Sequence, residues 1–159
     1  MDIGWGCSAN PDVRDAMAAW GYGQIDPDLP QDYENCVCLG AFEDGKLIGC
    51  VIFNNYDISA KTIEFTMAAT SRRWVNFRLL EEMRRYVFDD LGLQLLITKT
   101  KERNKHISRM LKSYGFSEYL IPRLFGENEG GLIFTLTKEQ AENSKIGRRG
   151  KRDLITETP

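Results

Sequence analysis

The segment KTIEFTMAATSRRWVNFRLLEEM, residues 61–83, decides the reading of the fold. Its first nine residues alternate, with Ile63, Phe65 and Met67 on one side and Glu64, Thr66 and Ala68 on the other, which is the period of a β-strand. The period then changes: Leu80, Met83, Val87 and Leu91 recur at helical spacing up to a stop at Gly92. A helix that begins directly after a strand presents unpaired N–H groups and the positive end of its dipole, a ready place for an anion. At this junction the chain places Arg72, Arg73, Trp74 and Asn76 in what the pattern predicts to be the first helical turn. Arg72 and Arg73 add two planar forks suited to phosphate oxygens, or they are plain solvated charges with Trp74 as a core anchor beside them.

Working outward, LQLLITKT (93–100) is a short, nearly continuous apolar strand, the pattern of a strand covered on both faces. A second helix near 103–114 carries Ile107, Met110, Leu111 and Tyr114 on one stripe, and GFSEYLI and GLIFTLT follow as strands around an FGENEGG turn. Upstream, CVCLGAF and KLIGCVIFNNY flank Asp44-Gly45, a strong hairpin signal. DIGWGC reads as a short strand, and NPDVRDAMAAW as a helix with Asn10 as cap, Pro11 first, Asp12 near the positive dipole end and a stripe of Val13, Ala16, Met17 and Trp20. GYGQIDPDLPQDYEN, after that helix, reads as a loop.

The order predicts an α/β fold with a mixed sheet of six to seven strands, antiparallel then parallel, flanked by helices on both faces. The right-handed crossover rule sets strand 61–69 beside and parallel to 93–100. The end of 93–100 and the helix start near Asn104 then supply the second wall of a switch-point cleft. One domain spans 1–137. Residues 138–159 read as a flexible basic tail, with five positive charges between Lys145 and Arg152, either solvated or a phosphate- or partner-binding arm. An edge left open after GLIFTLT makes a homodimer an expectation.

With 159 residues the chain has the length of one domain that buries about 68–70% of its unfolded surface. Apolar (42%) and charged (28%) fractions are those of an ordinary globule, and a net charge of −2 argues against nucleic acid as a partner except through the basic tail. No apolar run reaches the roughly 20 residues of a membrane span, and the first ten residues lack a signal core, so a cytoplasmic location is expected. Cys7, Cys36, Cys38 and Cys50 lack C-x-x-C spacing and read first as free thiols, with a zinc site or disulfides as the other readings.

The stretches TIEFTMAATSRRWVNFRLLEEMRRYVFDDLG and NKHISRMLKSYGF resemble the GCN5-related N-acetyltransferase family over roughly residues 36–137. The second follows the family's Asn-x-x-aliphatic-x-x-Leu/Phe pattern ending in Gly-Phe. RRW…LL…YVFDDLG…YGF is similar to acetyltransferase-like proteins of phages and prophages, which makes the host cytoplasm the expected location if the chain is phage-encoded. The resemblance implies acetyl-CoA as co-substrate and acetyl transfer to an amine, on a small molecule or a protein, by direct attack in a ternary complex. It further implies a sheet splayed between the two parallel strands, the pantetheine arm paired with backbone at Thr66, Met67, Ala68 and Ala69, and the pyrophosphate on the helix start over Arg72, Arg73, Trp74, Val75 and Asn76. Asn104 either caps its helix or bonds the pantetheine. Family members carry glycines where this chain has Arg72, Trp74 and Asn76, so side chains would replace close backbone approach. The family's acid tyrosine falls on Leu111, and Tyr114 falls on an apolar position. Glu64 is the candidate general base. Tyr33, Tyr56 and Asp57 are candidates for the acceptor side, and no metal is implied. The alternative reading is a binding or virion-associated phage protein that keeps the fold without catalysis.

Overall fold

A computed structural model describes residues 1–26 and 33–149. Its elements are β1 (Asp2–Gly6), α1 (Pro11–Ile25), β2 (Val37–Glu43), β3 (Lys46–Asp57), β4 (Thr62–Ala69), α2 (Phe77–Arg84), β5 (Leu95–Lys101), α3 (Lys105–Ser113), β6 (Ser117–Gly126), β7 (Glu129–Thr137) and α4 (Lys138–Asn143). The seven strands form one sheet in the order β1-β2-β3-β4-β5-β7-β6, the expected mixed α/β architecture. The chain divides into two compact units, Met1–Asp57 with Ile63–Met83 and Ile58–Thr62 with Arg84–Pro159.

In the first unit β1, β2 and β3 form an antiparallel meander, with Trp5 opposite Leu39 and Gly40 opposite Cys50. Asp44 and Gly45 both have positive φ (51° and 75°), the two-residue turn whose twist matches its flanking strands. One face packs on α1 through Met17, Ala18, Cys38, Cys50 and Ile52. The opposite face carries a run of rings, Trp5 against Phe53 at 6.3 Å and Phe53 against Phe65 at 6.5 Å.

Three details of α1 differ from the sequence reading. The helix runs on to Ile25, through the GYGQI that reads as the start of a loop, and residues 27–32 of that loop lie outside the described residues. The buried stripe is Arg14, Met17, Ala18 and Gly21, so Val13 is exposed and an arginine takes its place. Arg14 tolerates burial because its guanidinium is paired: Nε to Asp15 at 2.9 Å and Nη1 to the Glu34 carbonyl at 3.4 Å. Asn10 stands at the cap position without capping. Its Oδ1 accepts from Cys7 N at 2.7 Å and its Nδ2 donates to Trp5 O, so the side chain is committed to the preceding turn.

In the second unit β7 lies between β5 and β6, with Ile97 opposite Thr135 and Tyr119 opposite Ile133. β7 is therefore interior and the open edge is β6, because its hairpin folds back outside β7. Residues Arg85–Asp90 are π-helix, closed by Leu91 N donating to Tyr86 O, and Gly92 (φ 63°) ends the run at the predicted stop. The Lys61 carbonyl accepts from Gln94 N (2.9 Å) and Leu95 N (3.3 Å), which ties the start of β5 to the residue just before β4.

The first residues of the segment 138–159 are helical. Thr137 and Gln140 form a reciprocal capping box for α4, and Gln140 Nε2 also donates to Ser117 Oγ at 2.8 Å. Residues 145–149 are helical, with Ile146 buried; the remainder of the basic run lies outside the described residues.

Candidate functional site

The connection between β4 and α2 holds most of the predicted site residues. Thr70 N donates to Ile48 O at 3.0 Å, which fixes the strand end. Ser71 Oγ then accepts from Arg73 N at 3.3 Å and opens a single 3-10 turn, Arg72–Trp74. Trp74 is 6% exposed and lies against Gly49 of β3, where any Cβ would collide with the indole. Val75 is extended and half-buried.

The α-helix proper begins only at Phe77, later than the pattern predicts. Asn76 is the reason. Its Oδ1 accepts from Leu79 N at 2.9 Å, which satisfies one of the orphan donors at the helix start, and its carbonyl accepts the first intrahelical bond, from Leu80 N. Its amide nitrogen lies 3.5 Å from Met1 Sδ. Trp74 and Asn76 are thus committed to packing and capping, whereas Arg72 and Arg73 are exposed and without an ion-pair partner among the described residues. Of the strand positions, Thr66 and Met67 are half-buried, Ala68 is buried and Ala69 is exposed.

Glu64 is half-buried, and its Oε2 accepts from Asn55 Nδ2 at 2.9 Å. Strand alternation puts Glu64 opposite the buried Ile63 and Phe65, on the α1 side of this unit. Asn54 donates to Tyr22 OH at 3.4 Å, and Tyr22 stacks on Tyr33 at 6.5 Å with 26° between the planes. Glu64 and Tyr33 therefore share one face of the unit, with Tyr56 and Asp57 exposed at the end of β3. Sequence reasoning missed Tyr22, Asn54 and Asn55. The available signal was the doublet Asn54-Asn55 inside a strand, where asparagine is depleted.

The other candidates lie in the second unit. Asn104 is exposed and does not cap α3; its Nδ2 donates to Thr100 Oγ1 at 2.9 Å. Leu111 is 2% exposed and Tyr114 half-buried, which agrees with core roles for both. His106 is exposed. All four cysteines are free, and among the described residues no His, Cys, Asp or Glu cluster is placed to hold a metal. Burial pushes the Cys36 thiol up to about 12; the hydrogen bond to Cys50, then burial, raises that of Cys38. Such thiols are poor nucleophiles. No helix among the described residues is long and apolar enough to cross a membrane.

No protein-family model and no curated protein matches the sequence. The three-dimensional structure does have matches. A point variant of the spermidine N-acetyltransferase SpeG from Vibrio cholerae superposes with a TM-score of 0.68 over 90% of this chain and 98% of its own, at 12% identity. An N-acetyltransferase from Staphylococcus aureus Mu50 gives 0.64 over 87% and 99%, at 13% identity. YncA of Salmonella typhimurium, a putative acetyltransferase solved with its cofactor acetyl-CoA, gives 0.65 over 86% and 93%, at 16% identity. The chain shares the fold of these acetyltransferase structures over most of its length.

Proposed function

We propose that the protein is a CoA-dependent N-acyltransferase that moves an acetyl group from acetyl-CoA to an amine. The observation that carries this reading is the pair of exposed guanidinium groups, Arg72 and Arg73, on the strand-to-helix connection of a chain with this fold. The residues present fit a diphosphate. Two exposed charged forks precede the helix start, and the bulk of Trp74 is turned onto the sheet rather than across the connection. Backbone of β4 near Thr66, Met67, Ala68 and Ala69 is the proposed partner of the pantetheine arm.

Glu64 is the proposed base. The carboxylate takes a proton from the acceptor ammonium, directly or through one water. The neutral amine attacks the thioester carbonyl and a C–N bond forms; the nitrogen gives its surplus proton to solvent, the C–S bond breaks, and the CoA thiolate leaves and is protonated by solvent. Tyr33, Tyr56 and Asp57 are proposed to face the acceptor, for which spermidine is the first probe given the V. cholerae neighbour.

A second reading has its own observation. Positions where the family carries glycine hold a buried tryptophan and a capping asparagine, which suits a fold kept for binding without catalysis, including the phage-associated role raised by the sequence. Thiol release from acetyl-CoA with spermidine, other polyamines and lysine peptides separates the two. Amine-dependent release lost in Glu64→Gln supports the transferase; no release with any acceptor, and no heat of acetyl-CoA binding, supports the binding module.

A further inference from the structure

Asn55 is the one residue of β3 with a left-handed backbone (φ 51°), a conformation that bulky residues avoid and that asparagine tolerates. It lies beyond Phe53, the last β3 residue paired with β2, so the ladder to β2 does not impose this conformation. Its side chain donates from Nδ2 to Glu64 Oε2 at 2.9 Å across the strands. Left-handed geometry is unfavourable for a residue other than glycine and persists where the surroundings hold it, often beside functional groups.

We infer that Asn55 is a positioning residue, whose unusual backbone aims its amide at Glu64 and fixes one carboxylate oxygen so that the other faces the acceptor. The inference rests on Glu64 being the base of the proposed transferase. An amide donor suits this task better than a cation: it orients the carboxylate without supplying the full positive charge that would hold it deprotonated and weaken it as a base. The bond from Asn55 is thus a specific, uncharged restraint on the Glu64 side chain.

Two variants test this and both should fold. Asn55→Gly adopts positive φ without strain and lacks the donor. Asn55→Asp keeps the tolerance for this backbone and sets a second carboxylate against the first. Three-bond side-chain couplings of Glu64, measured by NMR on the acceptor-free protein, are expected to report one rotamer in the parent and averaging in Asn55→Gly. With acetyl-CoA and spermidine, Asn55→Gly should lower kcat about three- to tenfold, the worth of one net hydrogen bond, with KM for acetyl-CoA unchanged. Asn55→Asp should move the acid limb of the rate profile upward by about one pH unit, because two adjacent carboxylates share a proton. Unaveraged couplings in Asn55→Gly overturn the inference. So does an unchanged kcat and pH profile in both variants while Glu64→Gln is inactive. Full activity of Glu64→Gln overturns the base assignment itself, and the positioning role falls with it.

Discussion

Two of the strand-to-helix turns, β4 to α2 and β5 to α3, are built on different principles. The turn from β4 to α2 is long and anchored at both ends: a buried indole over Gly49 and an asparagine cap hold it, while its two arginines have no ion-pair partner among the described residues. The turn from β5 to α3 is short and has no side-chain cap. Asn104 bonds back to Thr100, and Arg103 pairs with Glu129 at 3.3 Å. The first turn leaves its two arginines exposed and without an ion-pair partner among the described residues, whereas the second pairs its arginine with a carboxylate of β7. A rigid frame around exposed cations is what a phosphate site requires, since the ligand then meets donors already in place.

The largest expected effect breaks the frame of the first turn. Trp74→Ala should destabilise by about 3–5 kcal/mol as a buried aromatic removed from packed surroundings. That corresponds to roughly 6–20 °C in Tm for a chain of this size. Gly49→Ala should cost about 1–3 kcal/mol by forcing the indole away from β3. Either substitution being neutral in a thermal melt would mean that the turn is not anchored through this pair.

The caps sharpen the comparison at a smaller scale. Asn76→Ala should cost about 0.5–2 kcal/mol, the range for losing an N-cap, whereas Asn104→Ala should stay within about 0.5 kcal/mol because its side chain caps nothing. Denaturant midpoints of the two variants, side by side, decide it; equal losses would erase the distinction.

The smallest effect concerns the α3 side. Glu118 accepts from Ser108 Oγ at 2.8 Å and pairs with Lys112 at 3.2 Å, and these partners, the serine bond first, hold its carboxyl below the ordinary range. A depressed carboxyl contributes stability above its unfolded pKa of about 4.3, lost as pH falls through the folded value. Ser108→Ala should therefore be slightly less stable than the parent at neutral pH, by less than the cap costs, and the gap should close below about pH 4. A gap that persists in acid would assign the loss to packing of the buried serine instead.

Period-2 and period-3.6 patterns made the strands, the helices and the sheet class legible, because each segment buries one regular face. What failed were the places where a polar side chain chose between equivalent local bonds. Asn10 and Asn76 each precede a helix, yet only Asn76 caps; Asn10 turns back to Trp5 and Cys7, a choice set by the turn behind it. Arg14 replaces Val13 in the core because Asp15 and the Glu34 carbonyl satisfy it, and the second of these is distant in sequence. In the candidate site, Glu64 and the two arginines could be picked out from the residues and the family resemblance. Asn55 could not, since its role depends on a backbone angle and a cross-strand partner that no local pattern encodes.

The central claim is that Arg72 and Arg73 hold the diphosphate of acetyl-CoA on the first turn, and thermal melts with the ligand test it most directly. At about 100 times its dissociation constant, acetyl-CoA should stabilise the protein by about 2.7 kcal/mol. For a chain of this length that is a rise of roughly 5–11 °C. Replacing both arginines by alanine should weaken binding at least about tenfold, from charge-assisted bonds worth roughly 1.5–3 kcal/mol each, and cut the shift at that concentration to about half or less. No shift with millimolar acetyl-CoA would contradict the acyltransferase reading, and a full shift surviving the loss of both arginines would contradict this account of its phosphate site.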